Sequence, residues 1–239
     1  MKIALISGTS GMVGMQILHQ LLQNATYDFV LSVGRKKLAL KHQKLIQIEG
    51  DLSKMEQWDW ENKVNSQSLG GEYNSLVESL TEKTAEVHAF SSLGTTIKQA
   101  GSKEKFFAID HDFVITFGNW AKKLGASKFL YVSASGADAT SYMFYSQTKG
   151  KTEEDLKAIG FDYLGLFRPS LLLGNRNEFR FGEQLATIVM KPLVWLKLFK
   201  NFRPIYDYQV AKSMVKTALS QKETSVEIIS SGEMQDLSK

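Results

Sequence analysis

The sequence predicts an α/β protein built on a doubly wound parallel sheet. Three observations carry that expectation. Short apolar runs alternate with longer stretches of helical periodicity along most of the 239 residues, the pattern of strands buried on both faces and joined by crossover helices. The 3 prolines, Pro169, Pro192 and Pro204, all fall in the last third, outside that repeating unit. The first strand-to-helix junction carries glycines at 8, 11 and 14.

Each element follows from its residues. Lys2–Ser7 reads as a buried strand, and Val13–Gln23 as a helix with Ile17, Leu18, Leu21 and Leu22 on one face. Phe29–Val33 and Leu45–Ile48 are the next strands. The polar stretch Trp58–Gly71 reads as a surface connection leading to a helix at Glu72–Lys83. Glu86–Phe90 is a fourth strand. Phe106–Leu124 is a long helix stopped by Gly125, and Lys128–Val132 a fifth strand. Tyr142–Ile159 is a helix closed by Gly160, followed by a sixth strand at Tyr163–Phe167. Glu183–Lys200 and Tyr208–Gln221 read as helical, and Val226–Ile229 as a last strand. The whole chain, 1–239, is expected to form a single domain, with 170–207 as an irregular region on the substrate side.

Composition narrows the function. Hydrophobic residues make up 43% and charged residues 23% of the chain, enough for a real core. There is no cysteine, so disulfides, thiolate metal sites and cysteine nucleophiles are excluded. The four histidines, His19, His42, His88 and His111, show no metal-ligand spacing, and no metal is expected. The net charge is +4, but the lysines are scattered, so no nucleic-acid partner is expected. The apolar start Ile3–Ile6 is too short for a signal segment, and Leu185–Phe199 is broken by Lys191, Pro192 and Lys197. Neither a membrane span nor a targeting segment is expected, and the default is a soluble cytoplasmic protein.

The run Gly8-Thr9-Ser10-Gly11-Met12-Val13-Gly14 joins the first strand to the first helix. A dinucleotide pyrophosphate needs a tight turn, a backbone approach without a Cβ in the way, and free amides at a helix N-terminus. Gly8 would make the turn, Gly11 permit the approach and Gly14 let the helix pack on the strand. The plainer alternative is a tight βα turn that binds nothing. At the end of the second strand stand Arg35, Lys36 and Lys37, where many NAD enzymes place a carboxylate for the ribose hydroxyl. A carboxylate repels a 2′-phosphate, whereas a guanidinium grips it with two hydrogen bonds. The expected cofactor is therefore NADP(H), with Arg35 as first contact and Lys36 or Lys37 assisting; a solvated basic turn is the alternative. Asp51 and Leu52 follow the third strand. Ser92, Leu93 and Gly94, at the end of the fourth, either leave room for the nicotinamide ribose or form an ordinary helix-capping loop.

Tyr145 and Lys149 stand four apart on a helix and share a face. A tyrosine hydroxyl can protonate the oxygen of a carbonyl that receives a hydride, and a nearby ammonium eases release of that proton. Tyr208 and Lys212 repeat the spacing, but they follow an irregular loop and read as surface or packing residues. Ser133 ends the fifth strand twelve residues before Tyr145 and is the orienting candidate.

These motifs, together with Gly-Ala-Asp at 136–138, Gly150 and Phe167-Arg168-Pro169-Ser170, resemble the short-chain dehydrogenases/reductases, in particular the atypical branch related to the mammalian Tat-interacting oxidoreductase. The resemblance spans residues 1 to about 215. It implies a Rossmann fold, NADPH binding and a Ser-Tyr-Lys site, with Asp51 and Leu52 at the adenine-contacting acidic position and Arg168 and Pro169 shaping the nicotinamide side. Two positions depart from the pattern. Alanine, Ala134, stands where the second of the paired serines is expected, leaving Ser133 or Ser135 to polarise the carbonyl. The asparagine of the catalytic tetrad is missing, and Asp110 stands near its place. The expected activity is reduction of a small-molecule carbonyl with Tyr145 as proton donor. The rival is a non-catalytic dinucleotide sensor acting through a protein partner. Gly174, Arg176 and Arg180 are candidates for an anionic substrate. The apolar cluster Trp195, Leu196, Leu198 and Phe199 reads as a packed helix face or a homodimer contact.

Overall fold

In the computed structural model, which describes residues 1–65, 72–174, 201 and 203–239, seven parallel strands form one sheet. They are β1 (Lys2–Ser7), β2 (Phe29–Gly34), β3 (Leu45–Glu49), β4 (Glu86–Ser91), β5 (Ala126–Val132), β6 (Tyr163–Arg168) and β9 (Val226–Ser230), in the order β3-β2-β1-β4-β5-β6-β9. β7 (Leu172–Leu173) and β8 (Ile205–Tyr206) pair with each other apart from it. Rossmann-type winding of this kind reverses direction between β1 and β4, which leaves a crevice at their carboxyl ends.

Helices cover both faces. On one lie α1 (Met12–Gln23), α8 (Asp207–Leu219) and α9 (Ser231–Leu237); on the other lie α2 (Trp60–Asn65), α3 (Glu72–Thr81), α6 (Phe113–Lys123) and α7 (Phe144–Ile159). Strand side chains alternate between the two cores. Ile3 and Leu5 point to the α6/α7 side, Ala4 and Ile6 to the α1/α8 side, as the pleat requires. Because both faces are covered, the strands read as continuous apolar runs rather than alternating ones.

Several boundaries differ from the sequence reading. After a short α4 (Ile97–Ala100), the long helix at 106–124 is three pieces: α5 (Lys103–Phe107), a π-helical turn at Ala108–Asp112 and α6. Gly125, at φ +87, ends it as expected. The stretch after Trp58 is not all connection. It includes α2, preceded by a 3₁₀ turn at Leu52–Gln57. The helix at 142–159 starts at Phe144 and leaves Tyr142 fully exposed. The helix expected at 183–200, with Arg176, Arg180 and the apolar cluster, lies outside the described residues. α9 was unanticipated, although Ser230 and Glu233 form a capping box whose Ser-x-x-Glu spacing is legible in the chain. Among the described residues no helix is long and apolar enough to cross a membrane.

The amino end of the sheet holds a buried polar knot. The Tyr27 hydroxyl lies 2.9 Å from Nδ1 of His88, whose Nε2 faces Glu86 at 3.0 Å. Burial, aided by the positive charge of Lys128, outweighs Glu86 and holds the His88 pKa down at about 4, against 6.5 for an ordinary imidazole. The folded ring is neutral, and the Tyr27 hydroxyl, pushed well above the usual tyrosine range, donates to it. The unfolded chain takes up a proton near pH 6.5 that the folded chain refuses until about pH 4. This contribution to stability is whole above pH 6.5 and falls as pH drops through that window, by a few kcal/mol at most. Urea unfolding at pH 7, 6, 5 and 4 should show that decline, and His88→Gln should flatten it between pH 6.5 and 4.

Candidate functional site

The turn after β1 is built by two glycines. Gly8 has φ +85, and a Cβ there would come within 2.6 Å of the Ser92 backbone. A Cβ at Gly14 would stand 2.1 Å from the Gly8 carbonyl oxygen. Side chains at these positions would push α1 off the strand and the β4 loop off the turn. Gly11 donates to the Gly8 oxygen at 2.9 Å and is the N-cap of α1. No side chain caps that helix, and its first turn holds no acidic residue. Its leading amides are left for an anion. Ser10 and Gly11 are exposed, Met12 is half-buried, and Val13 is buried in the core. Thr9 is buried, its hydroxyl 2.9 Å from that of Ser32 on β2. The residues thus fit a dinucleotide pyrophosphate: a turn that only glycine allows, leading into a helix end without a cap.

Arg35 and Lys36 follow β2 directly and are exposed. Among the described residues the Arg35 guanidinium has no ion pair. Asp51 is exposed and caps the 3₁₀ turn, accepting from the Ser53 amide and hydroxyl at 3.0 and 2.8 Å. Those hydrogen bonds hold its carboxyl below the ordinary range. The Leu52 side chain is buried in the core, so only its backbone is available to a ligand.

The loop after β4 bridges the two halves of the site. The Ser92 hydroxyl donates to the Ser7 and Gly8 carbonyls, both at 3.3 Å, and Leu93 packs on the core. Gly94 lies over the base of α7, where a Cβ would sit 3.2 Å from Asp110 and 3.6 Å from the Lys149 ammonium.

Lys149 is buried. Its ammonium meets the Asp110 carboxylate and the Tyr131 hydroxyl, each at 2.9 Å. The contact to Tyr131 is a hydrogen bond, and that to Asp110 is an ion pair. Burial alone disfavours the charge, but Asp110, with the Tyr131 and Tyr145 oxygens, outweighs it and raises the Lys149 pKa above the usual lysine range. Tyr131, wholly buried, is pushed up to about 12 by burial against the pull of Lys149. Tyr145, one turn before Lys149, is half-buried with its ring 5.9 Å from that of Phe106. Asp110 is aimed inward by the π-helical turn, a feature common at functional sites. The Thr152 hydroxyl donates to its carbonyl at 3.0 Å, and the Thr95 amide to its carboxylate at 2.7 Å.

Ser133 is buried one residue past β5, and its hydroxyl donates to Glu153 at 2.5 Å. Glu153 also accepts from Arg168 Nε at 2.9 Å and Nη2 at 2.5 Å, and this grip raises the Arg168 pKa. The structure therefore ties Ser133 and Arg168 to each other through Glu153, while Ala134 is buried and Ser135 exposed. The Pro169 carbonyl accepts from the Ser135 amide at 2.9 Å, joining the loops after β5 and β6. Tyr208 is half-exposed and Lys212 reaches the Lys239 carbonyl, a surface role as expected. Tyr131, Glu153 and Thr95 were missed from the sequence. Two had a signal: Tyr131 lies two residues before Ser133, and Glu153 continues the i, i+4 row of Tyr145 and Lys149.

No family model matches the chain. Among known proteins it is 32% identical to protein FMP52-2, mitochondrial, of Scheffersomyces stipitis over 244 residues, covering 99% of this chain and 97% of that one. It is 32% identical to the mitochondrial FMP52 protein of Eremothecium gossypii over 241 residues, with the same coverage of both. With the HTATIP2 protein of Rattus norvegicus it shares 31% over 185 residues, 77% of this chain and 69% of that protein. The expectation of a cytoplasmic protein is corrected here, since the FMP52 relatives, matched over nearly their whole length, are mitochondrial by name. The fold is shared with solved structures, among them these two. The WbmH enzyme of Bordetella bronchiseptica in complex with NAD⁺ superposes at TM-score 0.64 and 16% identity, over 97% of this chain and 76% of that one. The UDP-glucose 4-epimerase of Thermotoga maritima superposes at 0.62 and 15%, over 96% and 77%.

Gly150 allows the loop before α7 to touch the helix backbone, since a Cβ there would lie 2.0 Å from the Ala139 amide nitrogen. Gly150→Ala must move backbone rather than a flexible side chain, so it should cost at least the ~1–3 kcal/mol typical of overpacking, read as a lowered urea midpoint.

Proposed function

The chain belongs to the family of the FMP52 and HTATIP2 proteins, an atypical branch of the short-chain dehydrogenases/reductases, and on that footing we propose that it is an NADP(H)-dependent oxidoreductase that reduces a small-molecule carbonyl. The observation that carries the reading is the loop Ser92–Gly94, which hydrogen-bonds the glycine turn through the Ser92 hydroxyl at one end and at the other carries Gly94, where a Cβ would stand 3.6 Å from the Lys149 ammonium. A dinucleotide whose pyrophosphate rests on the α1 amides would run along that loop toward α7. A reduced nicotinamide, when bound, supplies a hydride to the carbonyl carbon.

The remaining work belongs to the chain. The α1 amides bind the pyrophosphate, and Arg35, with Lys36 beside it, takes the 2′-phosphate. Lys149 offers a further donor to the ribose or to the Tyr145 oxygen. Tyr145 gives its proton to the substrate oxygen and regains one from solvent. With Ser133 bonded to Glu153, Ser133 orients the substrate oxygen only if that bond opens, and the exposed Ser135 is the alternative donor.

A second reading, a dinucleotide sensor without turnover, is favoured by Ala134 and by the engaged Ser133 hydroxyl. It is separated from the first by Tyr145→Phe, which should bind NADPH as the unaltered protein does while carbonyl-dependent NADPH oxidation disappears. A wild-type protein that oxidises NADPH with no carbonyl in a broad panel would sink the enzyme. For the cofactor, Arg35→Ala should weaken NADP⁺ binding by about 10–100-fold, the worth of one charged hydrogen-bond pair, and leave NAD⁺ binding within ~3-fold. Calorimetry with both coenzymes measures this; equal losses for the two would refute the phosphate contact.

A further inference from the structure

β2 and β3 are parallel neighbours, yet the connection between them, residues 35–44, holds no helix. A parallel crossover ordinarily brings one. Here a loop takes its place on the α1/α8 side, where Leu38 and Leu40 pack against the core. A loop in that position must find partners for its backbone groups. Gln47 supplies them. It stands on the edge strand β3 between Ile46 and Ile48, which belong to the α6/α7 core, so the pleat turns it to the α1/α8 side with Leu45. Alternation asks for an apolar residue there, and the chain has an amide. Its Oε1 accepts from the Leu38 amide at 2.7 Å. Its Nε2 donates to the Leu38 carbonyl at 3.1 Å and to the Leu40 carbonyl at 3.0 Å. The side chain binds residue 38 as a neighbouring strand would.

These bonds fix one end of the basic turn. The other end is fixed at β2, where the Gly34 carbonyl accepts from the Gly50 amide at 3.0 Å. Arg35, Lys36 and Lys37 are strung between the two points, and all three are exposed. The turn is close: a Cβ on Gly34 would stand 3.4 Å from the Lys36 carbonyl oxygen. Gln47 is also the register partner of Ser32, whose hydroxyl lies 2.9 Å from that of Thr9 in the glycine turn. One row across β3 and β2 thus leads from the basic turn to the glycine turn.

We propose that Gln47 is a positioning residue that holds the 35–37 turn ready for a 2′-phosphate and so sets the preference for NADP(H) over NAD(H). This rests on the reading above in which Arg35 takes that phosphate. Long, exposed cations bind an anion more tightly when the backbone carrying them is fixed beforehand, since binding then orders less of the chain. A coenzyme without the phosphate makes no use of the turn, so its affinity does not depend on the clamp. In this role Gln47 acts through the backbone of residues 38 and 40 and not on the ligand.

Calorimetry with NADP⁺ and NAD⁺ on the wild type, Gln47→Met, Arg35→Ala and the double variant tests it. Methionine keeps the length of the side chain and removes these three hydrogen bonds. Gln47→Met should bind NADP⁺ about tenfold more weakly, the cost of leaving roughly one residue of backbone unfixed, and should bind NAD⁺ within ~3-fold of the wild type. In the Arg35→Ala background the same change should cost NADP⁺ binding less than about threefold, because the contact it prepares is already gone. Without any coenzyme, hydrogen exchange at the Leu38 amide should quicken about tenfold or more, while the amides of β1 stay protected. The inference is overturned if both coenzymes weaken alike, if the two substitutions add in full, or if the Leu38 amide exchanges no faster. Should Gln47→Met fail to fold, Gln47→Asn, whose amide falls one methylene short, is read by the same measures. If Arg35→Ala keeps the full preference for NADP⁺, the phosphate contact itself falls and this inference with it. If Arg35→Ala loses the preference and Gln47→Met retains it, the proposed function stands and the role of Gln47 alone is refuted.

Discussion

The Gly8 carbonyl oxygen occupies the space that a side chain at position 14 would need, and the Ser92 backbone occupies the space that one at position 8 would need. On this mutual exclusion the rest of the site depends. It lets α1 begin close against the end of β1 with its amides uncapped. It draws the β4 loop across the switch point. That loop in turn lays Gly94 over the buried ammonium of α7. Sheet order sets the crevice, but the absence of two Cβ atoms brings its two walls to contact distance.

The site has two polar networks on α7 with different purposes. The first, Asp110–Lys149–Tyr131, is buried and couples three elements: the π-helical turn, the helix and β5. The second, Ser133–Glu153–Arg168, one turn further along, ties the ends of β5 and β6 to the helix. Glutamate in that second network consumes the hydroxyl of Ser133, one of the two candidates to polarise the carbonyl in place of the serine missing at 134. Buried polar groups demand partners, and Glu153 finds them on both neighbouring strands. What the chain loses in a ready oxyanion donor it recovers in rigidity at the floor of the pocket.

Much of the fold was legible, for identifiable reasons. The seven main strands show as apolar runs because both sheet faces are covered, and the glycine turn shows because a steric need for glycine writes itself directly into sequence. The division of 103–123 was not legible, since a π-helical turn leaves the apolar periodicity almost unchanged over five residues. Nor was α2, whose six residues are too few for a period to emerge. At the candidate site, the placing of Tyr145 and Lys149 on one helix was legible from spacing and context. The partner of Lys149 was not: an aspartate a helix and a strand earlier in the chain declares its contact only once the sheet has folded. Ser133 was found by position, but the sequence held no sign that Glu153 would claim it.

The fit of Gly150 against Ala139 cannot yield, because backbone there meets backbone without space for a methyl group. Gly174 sits in softer surroundings. A Cβ there would meet the sulfur of Met12 and the carboxylate of Asp207, and a thioether can swing where a peptide plane cannot. Room for an added methyl group is therefore to be had at the end of β7 and not beneath α7.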